Sequence, residues 1–408
     1  MMRKMAKKML TKNFGRIRFN YTELDPSAYE SRVFGIYLHV PFCTKLCSFC
    51  PFYKVLLDNS QKERYLAAIR KEFGMRNLGG KANWLYMGGG TPNLLSGDEI
   101  SELLGRIRET VDLADAGMEG VPDLFTPEYI DAIAKAGINK ISVGVESMTS
   151  KTLESVNRAE NRKDRLRGIV RAAAEHGINV NFDLMIGLPG QSTEAFLADI
   201  GTVAEIGPGQ ITTYPFMQIS GVKAVPSMDT EQMFEAIEGA GDVLSGSGYY
   251  RDSIWIFSNN GGKVYDSSQD ELVGDYLGFG PGAFSTIGRA QIVNPGVEAY
   301  LEAIENDRWF GFRAEVDEDA AHWRKFAREL YKLDFDQGSV DELPGKIRKI
   351  MSLLRAAGHV DRSGVTPKGR LFVHDITKTV VETLPFPLSN PSVVENWDDY
   401  ERAKASAK

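Results

Sequence analysis

The sequence predicts an α/β fold: a partial (β/α)6 TIM-like barrel followed by a small C-terminal winged-helix-like domain. Three observations predict it. Short apolar runs alternate with amphipathic stretches from about residue 34 to 245. Glycine turns and candidate reactive residues follow the apolar runs, where parallel α/β sheets place ligands. After about residue 248 the texture changes to aromatics, Gly turns and short extended runs, and then to helices.

Residues 33–40 (VFGIYLHV) read as a buried strand, and 60–75 as a helix with Ser60 as its N-cap. Residues 81–87 form a second strand, ended by Gly88-Gly89-Gly90, and 96–111 a helix that opens at Ser96. A weak third strand covers 111–119. The next helix has Thr126 as cap, Pro127 at its first position and Gly137 as its stop. Strand four is 140–147, followed by a helix at 162–177. Strand five and its turn are 178–190, with a Ser192-capped helix behind. Strand six is 210–219 and the last crossover helix 229–248. Six units are too few for a complete eight-stranded barrel. The expected organisation is an N-terminal extension (1–30), the barrel (31–248), a β-rich extension of it (249–312), a winged-helix-like lid (313–378) and a tail (379–408). Both chain ends are expected to be loosely structured, and 359–376 to form the lid's strand–turn–strand.

Lys and Arg number 48 against 55 Asp and Glu, a net charge of −7, which argues against a dedicated nucleic-acid binder. No apolar run approaches the roughly 18 residues of a membrane span. The first eighteen residues carry seven Lys/Arg and no acid, and no apolar segment follows as in a secretory signal. A solvated basic tail and a cytoplasmic location are the expectations.

All three cysteines, Cys43, Cys47 and Cys50, fall in one C-x3-C-x2-C run. Three readings compete. His39 completes a four-ligand zinc site; the thiols are buried apolar fillers; or they hold three irons of a four-iron cluster and leave the fourth without a protein ligand. The last explains why three thiols cluster in a chain with no fourth.

The spacing, with Phe49 just before the third thiol and Tyr37-x-His39-x-Pro41-Phe42 before the first, resembles the radical S-adenosylmethionine (SAM) enzymes. Within them it is similar to the branch of the oxygen-independent coproporphyrinogen III oxidase. The resemblance implies a [4Fe–4S] cluster whose open iron is chelated by SAM, and a 5′-deoxyadenosyl radical. It places Tyr37 against cofactor and cluster and Phe49 on the adenine side. It lays the backbone of Gly88, Gly89, Gly90 and Thr91 (the GGGTP turn) along the methionine amino group. It sets Glu119 on the ribose or amino group and Glu146, where the branch usually has Gln, on the ribose hydroxyls. Arg158 and Asp183 match cofactor-contacting positions, and Arg158 is a candidate partner for the buried Asp183.

Within the branch, the oxidase has a further cysteine close after the third, where this chain has Pro51-Phe52-Tyr53. The haem chaperone type has a histidine-containing haem-binding stretch where this chain has NNGGKVYDSSQDEL. The texture around Phe42–Tyr53, and that of residues 119–147 (EGVPDLFTPEYIDAIAKAGINKISVGVES), resembles the anaerobic haem-degrading methyltransferases of the HutW/ChuW type. That resemblance implies two SAM molecules, a haem or related tetrapyrrole substrate and a flavodoxin- or ferredoxin-like electron donor. Tyr53, Lys54, Tyr214, Met217, Trp255, Tyr276 and Phe279 are candidates for a flat pocket, Met217 also for a cofactor contact. His322, His359 and His374 are candidate haem ligands. Arg324, Lys325, Arg328, Lys346, Arg348 and Lys349 are candidate propionate partners, with a solvated helix face as the alternative. GFGPGAFS (278–285) is a second-SAM loop or a simple turn.

Overall fold

The computed structural model describes residues 2–14, 16–25, 34–76, 80–259 and 275–406. Six parallel strands stand side by side in chain order. They are β1 (Phe34–Val40), β2 (Gly80–Gly89), β3 (Ala116–Gly120), β4 (Lys140–Glu146), β5 (Asn179–Ile186) and β6 (Gln210–Pro215). Helices cross between them, and their punctuation follows the sequence. Ser96 and Thr126 accept from the amides of Glu99 and Tyr129, and Ser192 from that of Ala195. Gly137 ends its helix in the left-handed region at φ 96°. The first crossover helix departs from expectation: Asp58, not Ser60, caps it by accepting from the Gln61 amide. The expected third strand is broken in two. Val111–Leu113 pairs with the start of β2 and Ala116–Gly120 with its middle. The break falls at Asp115, whose side chain takes Lys140 and Asn139.

The sheet extends past the barrel on both sides. Tyr276–Phe279 adds to β1 in parallel, and antiparallel strands Phe284–Ile287, Ala290–Val293, Phe310–Glu315 and Asn20–Glu23 follow. On the other flank Ile256–Ser258 and Tyr250–Arg251 add to β6. Among the described residues these two flanks do not pair with each other, so the barrel is partial.

Burial alternates along the strands in a way that locates the site. Ile36, Leu38, Leu85, Met87, Met118, Ile141, Val143 and Phe182 are buried against the helices. Their neighbours on the other face, Tyr37, Trp84, Tyr86, Glu119, Glu146 and Asp183, are all partly exposed. The dry core therefore lies outside the curled sheet, and the concave face lines a solvent-accessible lumen.

The C-terminal region is helical: Glu318–Tyr331, Gln337–Asp341, Gly345–Ala356 and Pro367–Thr383. The expected wing shrinks to one bridge, Val360 to Val365. Thr366 then caps a helix with Pro367 at its first turn, and Phe372, Val373 and Ile376 form its buried stripe. The chain ends are also packed. Helix Met2–Phe14 buries Leu10 and Phe14, and Arg3 and Lys7 pair with Asp375. Helix Trp397–Ser406 stacks Trp397 on Phe312 at 5.8 Å. Residues 260–274, most of the stretch compared with the chaperone's haem-binding motif, lie outside the described residues. No described helix is long and apolar enough to cross a membrane.

Candidate active site at the barrel mouth

The cysteine loop leaves β1 at its C-terminal end and is clamped at its base. Phe42–Cys43 pairs with Val55–Leu56, the Val55 amide donates to Pro41 O at 2.8 Å, and Leu57 N–H to Cys43 O at 2.9 Å. Between the clamps the loop is held from several sides. Ser48 N–H donates to Val156 O, Asn157 to Leu46 O, and Lys54 to Cys50 O at 2.8 Å. Thr91 places its hydroxyl 3.4 Å from Cys43 Sγ, and Arg158 Nη1 lies 3.8 Å from Cys47 Sγ.

The donor set suits an iron–sulfur cluster. Burial raises the Cys43 thiol above its ordinary range and pushes Cys50 up to about 11. Thiolates here therefore need strong positive charge, which cluster iron supplies. Among the described residues no three His, Cys, Asp or Glu side chains converge as ligands of one ion do. His39 is not a spare ligand either. Its Nε2 lies 2.9 Å from the Tyr53 carbonyl, which can only accept, so Nδ1 is the acceptor for the Tyr37 hydroxyl at 3.0 Å. Burial lowers its pKa to about 4, so the ring is neutral.

The glycine turn packs against this loop. A side chain at Gly90 would put its Cβ 2.6 Å from the Phe42 carbonyl oxygen. Gly89 sits at φ 114° above the His39 ring and donates its amide to Glu119 Oε1 at 2.6 Å. Gly90 donates its own amide to Val40 O at 2.8 Å, so the close approach of the turn to the cysteine loop accounts for these glycines.

Three acids and one cation converge there. Burial raises Glu119 to about 7, against the Gly89 amide, which favours its charged form. Burial also raises Glu146, opposed by Arg158. Glu146 has a positive φ of 63° beside a register shift after Gly144, which aims its carboxylate 3.6 Å from Arg158. Arg158 also donates to the Gly144 carbonyl. Asp183 is raised to about 8 by burial. Its partners are Ser142 at 2.5 Å and Asn181 at 2.8 Å, so Arg158 is not its counter-ion. Sequence reading missed Ser142, Asn181 and Thr212, which bonds Asn181 at 2.9 Å. Their signal is positional: Asn181 and Asp183 alternate on one face of β5, and Ser142 pairs with Asn181 across β4.

Tyr37 and Tyr214 line the lumen, and Phe49 and Met217 pack partly exposed against the core. Two pocket candidates are core residues instead. Phe279 stacks on Phe73 at 4.1 Å under the Arg76 guanidinium, and Trp255 is buried and donates to His374 Nδ1 at 3.0 Å. His374 is fully buried, which removes it as a haem ligand in this conformation. In GFGPGAFS, a Cβ on Gly280 would meet His39 O and one on Gly282 the Tyr53 ring, each at 2.6 Å. These glycines are accounted for by the packing of this turn beneath the cysteine loop.

The Radical SAM superfamily model matches residues 37–202. The heme chaperone HemW of Bacillus subtilis is 27% identical over 298 residues, 68% of this chain and 77% of that protein. HemW of Mycobacterium tuberculosis H37Rv is 27% identical over 375 residues, 85% of this chain and 95% of that protein. The oxygen-independent coproporphyrinogen III oxidase of Escherichia coli K12 is 26% identical over 394 residues, 85% of each chain. The solved structure of that oxidase, HemN, superposes with a TM-score of 0.72 at 24% identity, covering 87% of this chain and 90% of its own.

Residues 37–202, which carry the cysteine run and the glycine turn, match the radical SAM superfamily, whose members use a [4Fe–4S] cluster and SAM. Over most of its length the chain is similar to the HemW chaperones and to the coproporphyrinogen oxidase, at 26–27% identity. The expected closeness to haem-degrading methyltransferases rests on the texture of the cysteine loop and of residues 119–147 and is not shown by these relatives.

Proposed function

We propose that this chain is a tetrapyrrole-directed radical SAM enzyme, with chemistry of the coproporphyrinogen-oxidase kind as its first reading. One observation carries it: the cysteine loop, the glycine turn and the partly buried Glu119, Glu146, Asp183 and Arg158 converge at the mouth of an accessible, aromatic-walled lumen. Cys43, Cys47 and Cys50 would hold the cluster, which with SAM supplies a 5′-deoxyadenosyl radical. Gly89 and Gly90 would expose backbone to the methionine end, and Glu119 and Glu146 would accept from its amino and hydroxyl groups. Arg158 keeps positive charge beside Cys47 and suits a carboxylate. Tyr37, Trp84, Tyr86 and Tyr276 would offer an aromatic wall to a porphyrin-type ring.

A second reading is haem carriage without turnover, favoured by chaperone-named relatives that match 85% of this chain. The haem-degrading methyltransferase reading is supported by the Phe42–Tyr53 texture and would require a second SAM. One experiment separates the three. The cluster is reconstituted anaerobically, and SAM, a low-potential reductant and either coproporphyrinogen III or haem are added. Vinyl products with 5′-deoxyadenosine support the first reading. Stoichiometric haem binding with neither product supports carriage. S-adenosylhomocysteine with loss of the haem band supports the methyltransferase. Cys47→Ser should abolish 5′-deoxyadenosine formation; unchanged turnover would contradict the cluster assignment.

A further inference from the structure

The helix Glu318–Tyr331 covers the gap that the unpaired sheet flanks leave. At one end Tyr331 O accepts from Ile254 N–H at 3.1 Å, and its ring stands edge-on to Trp255 at 5.6 Å, on the β6 flank. In its middle, Arg324 is within electrostatic reach of Tyr276 and Asp275, on the β1 flank. Tyr276 pairs with Gly35, and Trp84 lies across Gly35 with its ring 6.0 Å from that of Tyr276. Gly35 and Tyr37 share the concave face of β1, so Arg324 borders the lumen.

Six cations of this region are candidates for an anionic ligand, and the structure separates them. Lys325 pairs with Glu342, Arg328 with Glu329 and Lys346 with Asp319. Arg348 and Lys349 are exposed. Arg324 is half-buried and has no hydrogen bond or ion pair to any described residue. Asp275 is within electrostatic reach but spends an oxygen on the Gly288 amide, and Arg328 adds like charge. Ala320 and Ala327, on the same stripe of the helix, are too short to compensate it. Burial lowers the guanidinium below the ordinary arginine range, and Tyr276 and Asp275 offset this only in part. A partly dry arginine left unpaired is costly unless an anion arrives, and its planar fork matches a carboxylate.

Resting on the tetrapyrrole reading above, we propose that Arg324 is the carboxylate-recognition residue of the lumen, binding one propionate side chain of the ring held there. The ring would lie against the Trp84–Tyr276 wall while its acid arm meets the guanidinium.

The test measures binding of coproporphyrin III and of its tetramethyl ester to anaerobically reconstituted protein, by absorbance and fluorescence. Wild type should bind the acid about 10- to 100-fold tighter than the ester, as for a hydrogen bond to a charged group. Arg324→Gln should lose that preference and leave ester binding unchanged, Arg324→Lys should recover part of it, and Lys349→Gln should change nothing. Urea melts establish that each variant is folded. Equal binding of acid and ester by wild type, or an unchanged acid preference in Arg324→Gln, overturns the assignment while sparing the tetrapyrrole reading. Failure of wild type to bind either form overturns both.

Discussion

Glu119 accepts the Gly89 amide at 2.6 Å, tying the end of β3 to the turn that ends β2. The bond fixes Gly89 at φ 114°, a conformation open to glycine, with its neighbour Gly90 close against the Phe42 carbonyl. The acid is therefore part of the turn's architecture before any ligand arrives.

Removing it should have two separable effects. Glu119→Ala leaves a buried N–H unpaired and should cost about 1–3 kcal/mol in urea unfolding of the protein without cofactor. Glu119→Gln keeps an acceptor and should retain most of that stability. Both variants should bind SAM more weakly after reconstitution, because both remove the carboxylate. Full SAM affinity in Glu119→Gln would restrict the acid to a structural part.

Asp183 predicts a pH dependence. Its folded pKa, about 8, lies above its ordinary 3.8 because burial penalises the charged form. The unfolded chain then ionises first as pH rises, so the proton-linked stability is present in full below about 4 and is lost up to about 8. Asp183→Asn removes that titration. Its stability relative to wild type, from melts of the cofactor-free protein, should improve by at most about 1.4 kcal/mol per pH unit across this window. A pH-independent difference would show that Asp183 titrates alike in both states.

Much of this was legible in the sequence. Apolar runs, Ser and Thr caps and glycine stops gave the strand–helix alternation, because each follows from local chemistry. The cysteine run and GGGTP turn located the mouth for the same reason. The wing failed because Leu371-Phe372-Val373 fits a strand as well as a helix, and Thr366-Pro367 decided for the helix. Ser142 and Asn181 were illegible as Asp183 partners because strand register, not spacing along the chain, brings them together. Charge alone could not separate Arg324 from its paired neighbours either.

Two alanine substitutions should act with opposite sign. Gly90→Ala would push a Cβ to 2.6 Å from a backbone oxygen, so the turn must shift. We expect a loss of about 1–3 kcal/mol and weaker SAM binding. Gly105 lies on an exposed helix position where an added Cβ would meet nothing within 4 Å, so Gly105→Ala should stabilise by about 0.5–1 kcal/mol. Urea midpoints at constant slope measure both. A stabilising Gly90→Ala would mean that the turn can relax.

The N-terminal helix should contribute to stability through one buried acid. Asp375, 2% exposed, receives Arg3 at 2.9 Å and Lys7 at 2.7 Å, and both cations are themselves partly exposed. Arg3→Ala/Lys7→Ala leaves the carboxylate without these counter-charges. Screening at the solvent side moderates the cost to about 1–3 kcal/mol, below that of a fully buried pair. Adding Asp375→Asn to the double variant removes the stranded charge and should regain most of the loss. Urea is the suitable denaturant, since guanidinium chloride screens the pairs under study. If the triple variant is no more stable than the double, the helix is held by Leu10 and Phe14 packing and not by these charges.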